Sequence, residues 1–301
     1  MFSYPDHFVR IQTDLHGSDG LNWLNSLPTI VNDCADRWNL RLNRVLQPLT
    51  YNYLVSAHRY DGTPVIIKAC SPTGEFQTQA NALQHFAGRG CVQLLERDDN
   101  LEVQLMEACV PGSSLVGVPD DDAVTIAAGT MRQLWSPLPS NHRFPSLSDW
   151  GQGLDRLRAF YDGTGPFPQS LVERAERTFA EFSTSTEPRV LLHGDLHHDN
   201  ILSAERQPWI AIDPKGVAGE PAYEMASFIL NPHAELSAAA HLDRILARRV
   251  DRFAAELELD REKITEWAIA AAVLSAWWTV EDHGHVSELA MTCASLLAEI
   301  P

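Results

Sequence analysis

The chain has 301 residues, 45% hydrophobic and 21% charged, ordinary proportions for a globular protein large enough for one big domain or two lobes with a buried core. With 40 acidic against 23 basic side chains its net charge is −17, which sets aside nucleic acid and anionic membrane as partners and favours cationic ones. Five scattered cysteines with no C-x-x-C pair argue against a disulfide framework or a zinc ribbon, and no basic-then-apolar leader or membrane-length apolar run is evident, so a cytoplasmic location is expected.

The first 20 residues are polar and contain glycine, and they read as a loosely packed arm. Leu21 to Leu40 places Trp23, Leu24, Leu27, Ile30, Val31 and Trp38 at helical intervals, with Pro28 near the first turn. Tyr51–Tyr60 and Thr63–Ala69 are β-rich runs on either side of Asp61-Gly62, a hairpin signal. A helix is expected from Glu75 to Ala87, ending at Gly88, then strands at 92–95 and 101–106. Pro111-Gly112 breaks the chain. The expected division is an N-terminal lobe over 1–108 and a C-terminal lobe over 109–301.

Past that break, helices are expected at about 120–135, 147–160 and 169–182, then a strand-rich segment, then helices at 234–257, 261–282 and 284–299. The outline is α+β: a small sheet-plus-helix lobe and a larger, mainly helical one. Acid is unevenly spread. Residues 1–108 hold 8 basic and 12 acidic side chains, and 109–301 hold 15 and 28, nets of −4 and −13. Solubility accounts for this equally well as attraction of a cationic substrate.

The strand-rich segment carries the chemistry. Val190-Leu-Leu-His-Gly-Asp-Leu-His-His-Asp-Asn-Ile-Leu202 and Ile210-Ala-Ile-Asp-Pro214 are two apolar runs, each delivering a carboxylate at its end. Asp195 and Asn200 are five apart and Asp213 follows thirteen later, the spacing of a phosphoryl-transfer site. Asp195 would orient and deprotonate an acceptor hydroxyl; Asn200 and Asp213 would offer hard oxygens to magnesium. Singly, each has an ordinary reading as a turn or strand-end residue, and the conjunction favours catalysis. His193 and His197 are four apart, but Gly194 and the strand-like run before it rule out the helical face that such a zinc pair needs. His193 is expected to bond nearby backbone, and His197 and His198 to be solvent-side loop residues.

Lys68, one of three lysines against twenty arginines, sits in the apolar run Val-Ile-Ile-Lys-Ala, where a buried ammonium needs a partner. It reads as a clamp for nucleotide phosphates rather than a snorkelling edge lysine. Glu75 and Gln79 share a face of the following helix, and only Glu75 is able to form an ion pair. Glu107 and Cys109, at the exit of the last strand, are candidates for backbone contacts to an adenine edge.

These residues resemble a known group. His193-Gly-Asp-Leu-His-His-Asp-Asn200 with Ile212-Asp-Pro214 looks like the motif pair of aminoglycoside phosphotransferases, which have a protein-kinase-like two-lobed fold. Leu27-Pro28, Gly88-Arg-Gly90, Asp213-Pro-Lys-Gly216, Gly219-Glu-Pro-Ala-Tyr-Glu224 and Trp277-Trp278 narrow the likeness to the aminoglycoside/hydroxyurea antibiotic resistance kinases, typified by streptomycin 6-kinases. The resemblance implies ATP- and Mg-dependent O-phosphorylation of a small, cationic, streptomycin-like molecule, with no obligate protein partner. It implies Asp195 as base, Asn200 and Asp213 as metal ligands and Lys68 as clamp. No G-x-G-x-x-G loop is present, and Thr50 and Asn52 stand in its place as polar substitutes. Gln79 occupies the position of the usual helical Glu, so Glu75 is the acidic candidate. Glu224, Glu281 and Asp282 are candidate contacts to a cationic substrate. The alternatives are a kinase of another metabolite, such as a sugar or amino alcohol, and a non-catalytic nucleotide-binding protein; no A-P-E-like segment supports a protein kinase.

Overall fold

A computed structural model of the chain describes residues 4–300. They form two compact units, the first ending at Gly112 and the second beginning at Ser113.

The first unit runs α1 (Asp6–Arg37), β1 (Leu40–Val45), β2 (Tyr53–Arg59), β3 (Pro64–Ala69), α2 (Phe76–Phe86), β4 (Leu94–Asp98) and β5 (Val103–Glu107). The strands make one antiparallel sheet in the order β1-β2-β3-β5-β4. The expected hairpin is present, its turn held by the Thr63 N–H donating to Asp61 Oδ1 at 2.9 Å. β1 has no sequence signal because only Leu40 of its six residues is buried.

From Tyr4 onward the N-terminal segment is not a loose arm; residues 1–3 lie outside the described residues. It forms the first half of α1, which kinks at Gly17 (φ 54°, ψ −127°). Phe8 is fully buried against Trp23 and Tyr53. Beyond the kink, Gly20 lies against the Gln12 carbonyl so closely that a Cβ would stand 2.1 Å from its oxygen, which explains a glycine inside a helix. Sparse apolar residues hid this helix, since one buried aromatic and one close backbone approach do the packing.

The second unit holds β6 (Pro111–Ser114, which starts just before the division), α3 (Asp120–Leu134), α4 (Leu147–Tyr161), α5 (Gln169–Thr184), β7 (Val190–Leu192), β8 (Ile201–Ala204), β9 (Trp209–Ala211), β10 (Val217–Gly219), α6 (Met225–Ile229), α7 (His233–Ala238), α8 (Leu242–Leu257), α9 (Arg261–His283) and α10 (Glu288–Glu299). One helix was expected over 234–257. The chain instead breaks at 239–241, where an alanine-rich run carries no local stop signal. α9 is the centre of this unit: Ile264, Trp267, Ala270, Leu274 and Trp277 are buried on several of its sides, and α4, α5, α6, α8 and α10 pack around it. The architecture is an α+β, protein-kinase-like arrangement: a sheet unit followed by a mainly helical one.

Candidate active site

In the second unit the motif is assembled by two antiparallel strand pairs. β7 pairs with β10, Leu192 opposite Val217, and β8 pairs with β9, Ile201 opposite Ala211. Extending the second ladder, the Ile212 N–H donates to the Asn200 carbonyl at 2.9 Å, so Asn200 and the residue before Asp213 are bonded neighbours. The N–H groups of Lys215 and Gly216 both donate to the His193 carbonyl, at 2.8 and 3.1 Å. Asp195, Asn200 and Asp213 thus belong to one hydrogen-bonded loop system.

Asp213 adopts φ +59°, the left-handed region, which for a non-glycine residue costs on the order of 1–3 kcal/mol. The Ile212 N–H bond to Asn200 before it and the Lys215 and Gly216 N–H bonds to His193 after it hold the backbone there. Asn200 Nδ2 donates to the Asp195 carbonyl at 2.8 Å and lies 3.2 Å from His197 Nε2. These contacts fix the side-chain amide, and none of its hydrogen bonds uses Oδ1. An oriented, half-buried amide oxygen and the carboxylate one residue beyond its backbone partner are oxygen donors of the kind a hard divalent cation accepts.

The Asp195 carboxylate accepts from Ser227 Oγ at 3.3 Å, lies 3.9 Å from His197 Nε2, and its side chain is 37% exposed. It is therefore both positioned and reachable. His193 is fully buried and does bond backbone: its Nε2 lies 2.8 Å from the Ile212 carbonyl and its Nδ1 3.2 Å from the Asp195 N–H. A carbonyl partner requires the proton on Nε2 and an N–H partner requires a bare Nδ1, so the ring is the neutral Nε2–H tautomer. Burial agrees, pushing its pKa down to about 4. His197 is partly exposed, but His198 is not a solvent-side residue: it is buried and stacked on Phe228 at 3.9 Å between centroids. No group of metal-binding His, Cys, Asp and Glu side chains occurs among the described residues.

Glu224 does not reach outward to a substrate. It is 1% exposed at the head of α6, and its two oxygens accept the N–H groups of His193 (2.7 Å) and Gly194 (2.9 Å). It is a buried brace for the loop that carries Asp195. Burial pushes its carboxyl up to about 7, although the Gly194 and His193 N–H groups pull the other way. Ser227 was missed by sequence reading; its place three residues after Glu224, on the same face of α6, is the signal that would have found it. Of the other two proposed substrate contacts, Glu281 is engaged by Arg156 through two bonds (2.7 and 3.0 Å), whereas Asp282 is exposed.

In the first unit, Lys68 is 3% exposed on β3. Its Nζ donates to Gln79 Oε1 at 2.7 Å, and Gln79 Nε2 donates to Glu75 Oε2 at 3.1 Å. The Gln79 amide is thus a direct partner of the lysine, and Glu75 holds that amide from one turn earlier. Thr50 is exposed, while Asn52 Oδ1 accepts the Ser71 N–H at 3.1 Å. Their loop is tied to α1: His7 Nε2 bonds the Leu49 carbonyl at 2.9 Å and Gln12 Nε2 the Tyr51 carbonyl at 2.8 Å. At the end of β5 the Glu107 N–H donates to the Gln93 carbonyl at 3.1 Å. Gly112 (φ +79°) turns so tightly over Cys109 that a Cβ would stand 2.8 Å from the Cys109 oxygen.

Residues 37–283 match the family model described as "Aminoglycoside/hydroxyurea antibiotic resistance kinase". The chain is 30% identical to a streptomycin 6-kinase of Streptomyces griseus, over 92% of this chain and 91% of that one. It is also 30% identical to a hydroxyurea phosphotransferase of Kitasatospora aureofaciens, over 92% and 80%. Among solved structures it resembles the aminoglycoside phosphotransferase APH(4)-Ia in ternary complex with ADP and hygromycin B (TM-score 0.60, 15% identity, 89% of this chain and 96% of that one). It equally resembles the choline kinase LicA of Streptococcus pneumoniae (TM-score 0.61, 15% identity, 91% and 98%).

Proposed function

This chain belongs to the aminoglycoside/hydroxyurea antibiotic resistance kinase family, and from that premise we propose that it transfers the γ-phosphoryl group of MgATP to a hydroxyl of a cationic, streptomycin-like aminoglycoside. Membership makes it a small-molecule kinase that binds ATP. The acceptor, the metal and the residue roles are the proposal. The observation that carries it is the single loop system in which a reachable Asp195 adjoins the oriented Asn200 amide and the strained Asp213.

Asp195 accepts a hydrogen bond from the acceptor hydroxyl, aligns its oxygen for in-line attack and takes its proton. Ser227 and the fixed peptide after His193 keep that carboxylate in one orientation. Asn200 Oδ1 and the Asp213 carboxylate would hold magnesium, which when bound offsets charge on the phosphates. Lys68, kept in place by Gln79 and Glu75, donates to phosphate oxygens. Glu107 C=O and the Cys109 backbone meet the adenine edge, and Thr50 and Asn52 Nδ2 donate where a glycine-rich loop would. The acidic second half, net −13 over 109–301, favours a cation.

The test is incubation of the protein with MgATP and a panel of streptomycin, other aminoglycosides, hydroxyurea, sugars and amino alcohols, read by mass spectrometry. A phosphorylated streptomycin is expected; a product with another member and none with streptomycin would overturn the acceptor assignment. Two substitutions test the nucleotide roles. Asp213→Ala is expected to abolish the gain in ATP affinity that magnesium brings, measured by calorimetry with and without the metal; an unchanged gain removes Asp213 as a ligand. Lys68→Ala is expected to raise KM for ATP about tenfold or more, the scale of a lost charge-assisted hydrogen bond. Gln79→Ala should move KM in the same direction by less, and no change in either variant would refute the clamp.

A further inference from the structure

Two half-buried indoles, one packed on the Asp195 loop and the other on the first, have no role in the chemistry above. Trp150, in the first turn of α4, packs on Gly194: a Cβ at that glycine would lie 3.0 Å from Trp150 Cη2. Gly194 has φ +83° and directly precedes Asp195, so the indole touches the peptide that delivers the carboxylate. Trp278 of α9 meets Trp150 edge to face, centroids 5.6 Å apart and planes at 86°. Tyr223 also meets Trp150 edge to face, at 5.8 Å.

The two adjacent tryptophans of α9 differ. Trp277 is 2% exposed and packs with Phe160 and Tyr161, a core side chain. Trp278 points instead to Trp150 and keeps part of its surface open. Elsewhere the chain places its own arginines over aromatic rings, as with Arg41 on Tyr60 and Arg189 on Phe182, but among the described residues no cation of this chain covers Trp150 or Trp278. One turn beyond Trp278 on the same face lies Asp282, exposed and without an ion pair, whereas its neighbour Glu281 is engaged by Arg156.

We infer that Trp150 and Trp278 form an aromatic corner that binds a guanidinium or ammonium group of the acceptor, with Asp282 supplying the counter-charge, and so determine which molecules reach Asp195. An uncovered indole face attracts a desolvated cation, and a planar guanidinium also stacks on it. Contact with the Gly194 peptide sets the distance between the bound cation and the hydroxyl presented to Asp195. The inference rests on the reading of the second unit's loop as the phosphoryl-transfer site.

The experiment is calorimetric titration of the wild-type protein, Trp278→Leu, Trp278→Phe and Asp282→Asn with streptidine (the diguanidino-cyclitol part of streptomycin) and with neutral myo-inositol, alongside streptomycin kinetics. Streptidine should bind the wild type and inositol should not. Trp278→Leu should weaken streptidine and raise KM for streptomycin about tenfold, with KM for ATP unchanged; Trp278→Phe should keep most of the affinity and Asp282→Asn lose a few-fold. Equal binding of inositol and streptidine, or no streptidine binding by the wild type, overturns the corner without any variant. So does an unchanged KM for streptomycin in a Trp278→Leu protein that retains the wild-type circular dichroism spectrum. Streptidine binding that depends on Trp278, with no phosphorylated streptomycin, would leave the corner standing and overturn only the acceptor reading.

Discussion

Replacing Asp195 by alanine is expected to lower kcat by about 10²–10⁴-fold, the usual worth of a positioned general base, while ATP still binds. The reason lies in how little else is available. His193, two residues away, is buried, neutral and spent on the Ile212 carbonyl and the Asp195 N–H, so it cannot take over as base. His197 Nε2 is 3.9 Å from the carboxylate and is the nearest remaining ring nitrogen. Asp195→Asn separates alignment from proton acceptance, because the amide still accepts a hydrogen bond but takes no proton at neutral pH. Turnover near wild type in either variant, with the phosphorylated product confirmed, would remove Asp195 from the mechanism.

Glu224→Gln is expected to lower kcat roughly 10–100-fold with KM for ATP little changed, the scale on which a misplaced catalytic group costs rate. Each carboxylate oxygen accepts one backbone N–H, from His193 and Gly194. The amide keeps one acceptor and turns a donor toward the other N–H, so the loop must shift. Burial pushes the wild-type carboxyl up to about 7 from an ordinary 4.5. A raised folded pKa means that the native state binds this proton more tightly than the unfolded chain does. Its contribution to stability is therefore fully present below about pH 4.5 and lost as pH rises through 7. Over that 2.5-unit span the ionised group costs on the order of 3 kcal/mol. Activity should run the other way, since only the ionised form accepts both N–H groups: kcat should fall on acidification through pH 7. In Glu224→Gln this segment of both the stability and the rate profile should flatten. An unaltered kcat–pH profile in the variant would show that Glu224 does not position the loop.

Some of this was legible in the chain and some was not, for physical reasons that differ from residue to residue. The hairpin at Asp61-Gly62 and the helices over α2 to α5 are written locally, in turn residues and apolar periodicity. The helical first half of α1 is not, because Phe8 packs on Tyr53 forty-five residues away and Gly20 on the Gln12 carbonyl after a kink. The break before α8 likewise has no local stop.

By itself the sequence determined the family, through motifs such as His193–Asn200 and Gly219–Glu224 that resemble it, and pointed to the reaction class through the Asp195–Asn200–Asp213 spacing, because both are carried on contiguous segments. Only the tertiary structure decided what surrounds them. Glu224 turns inward because two loop N–H groups need an acceptor where water is excluded. Gln79 meets Lys68 directly because its turn of α2 faces that strand position, with Glu75 one turn behind. Trp277 is core and Trp278 turns to Trp150 because successive positions on α9 differ by about 100° around the helix. Spacing along a chain nominates candidate groups; which side chains brace them depends on contacts between segments far apart in sequence.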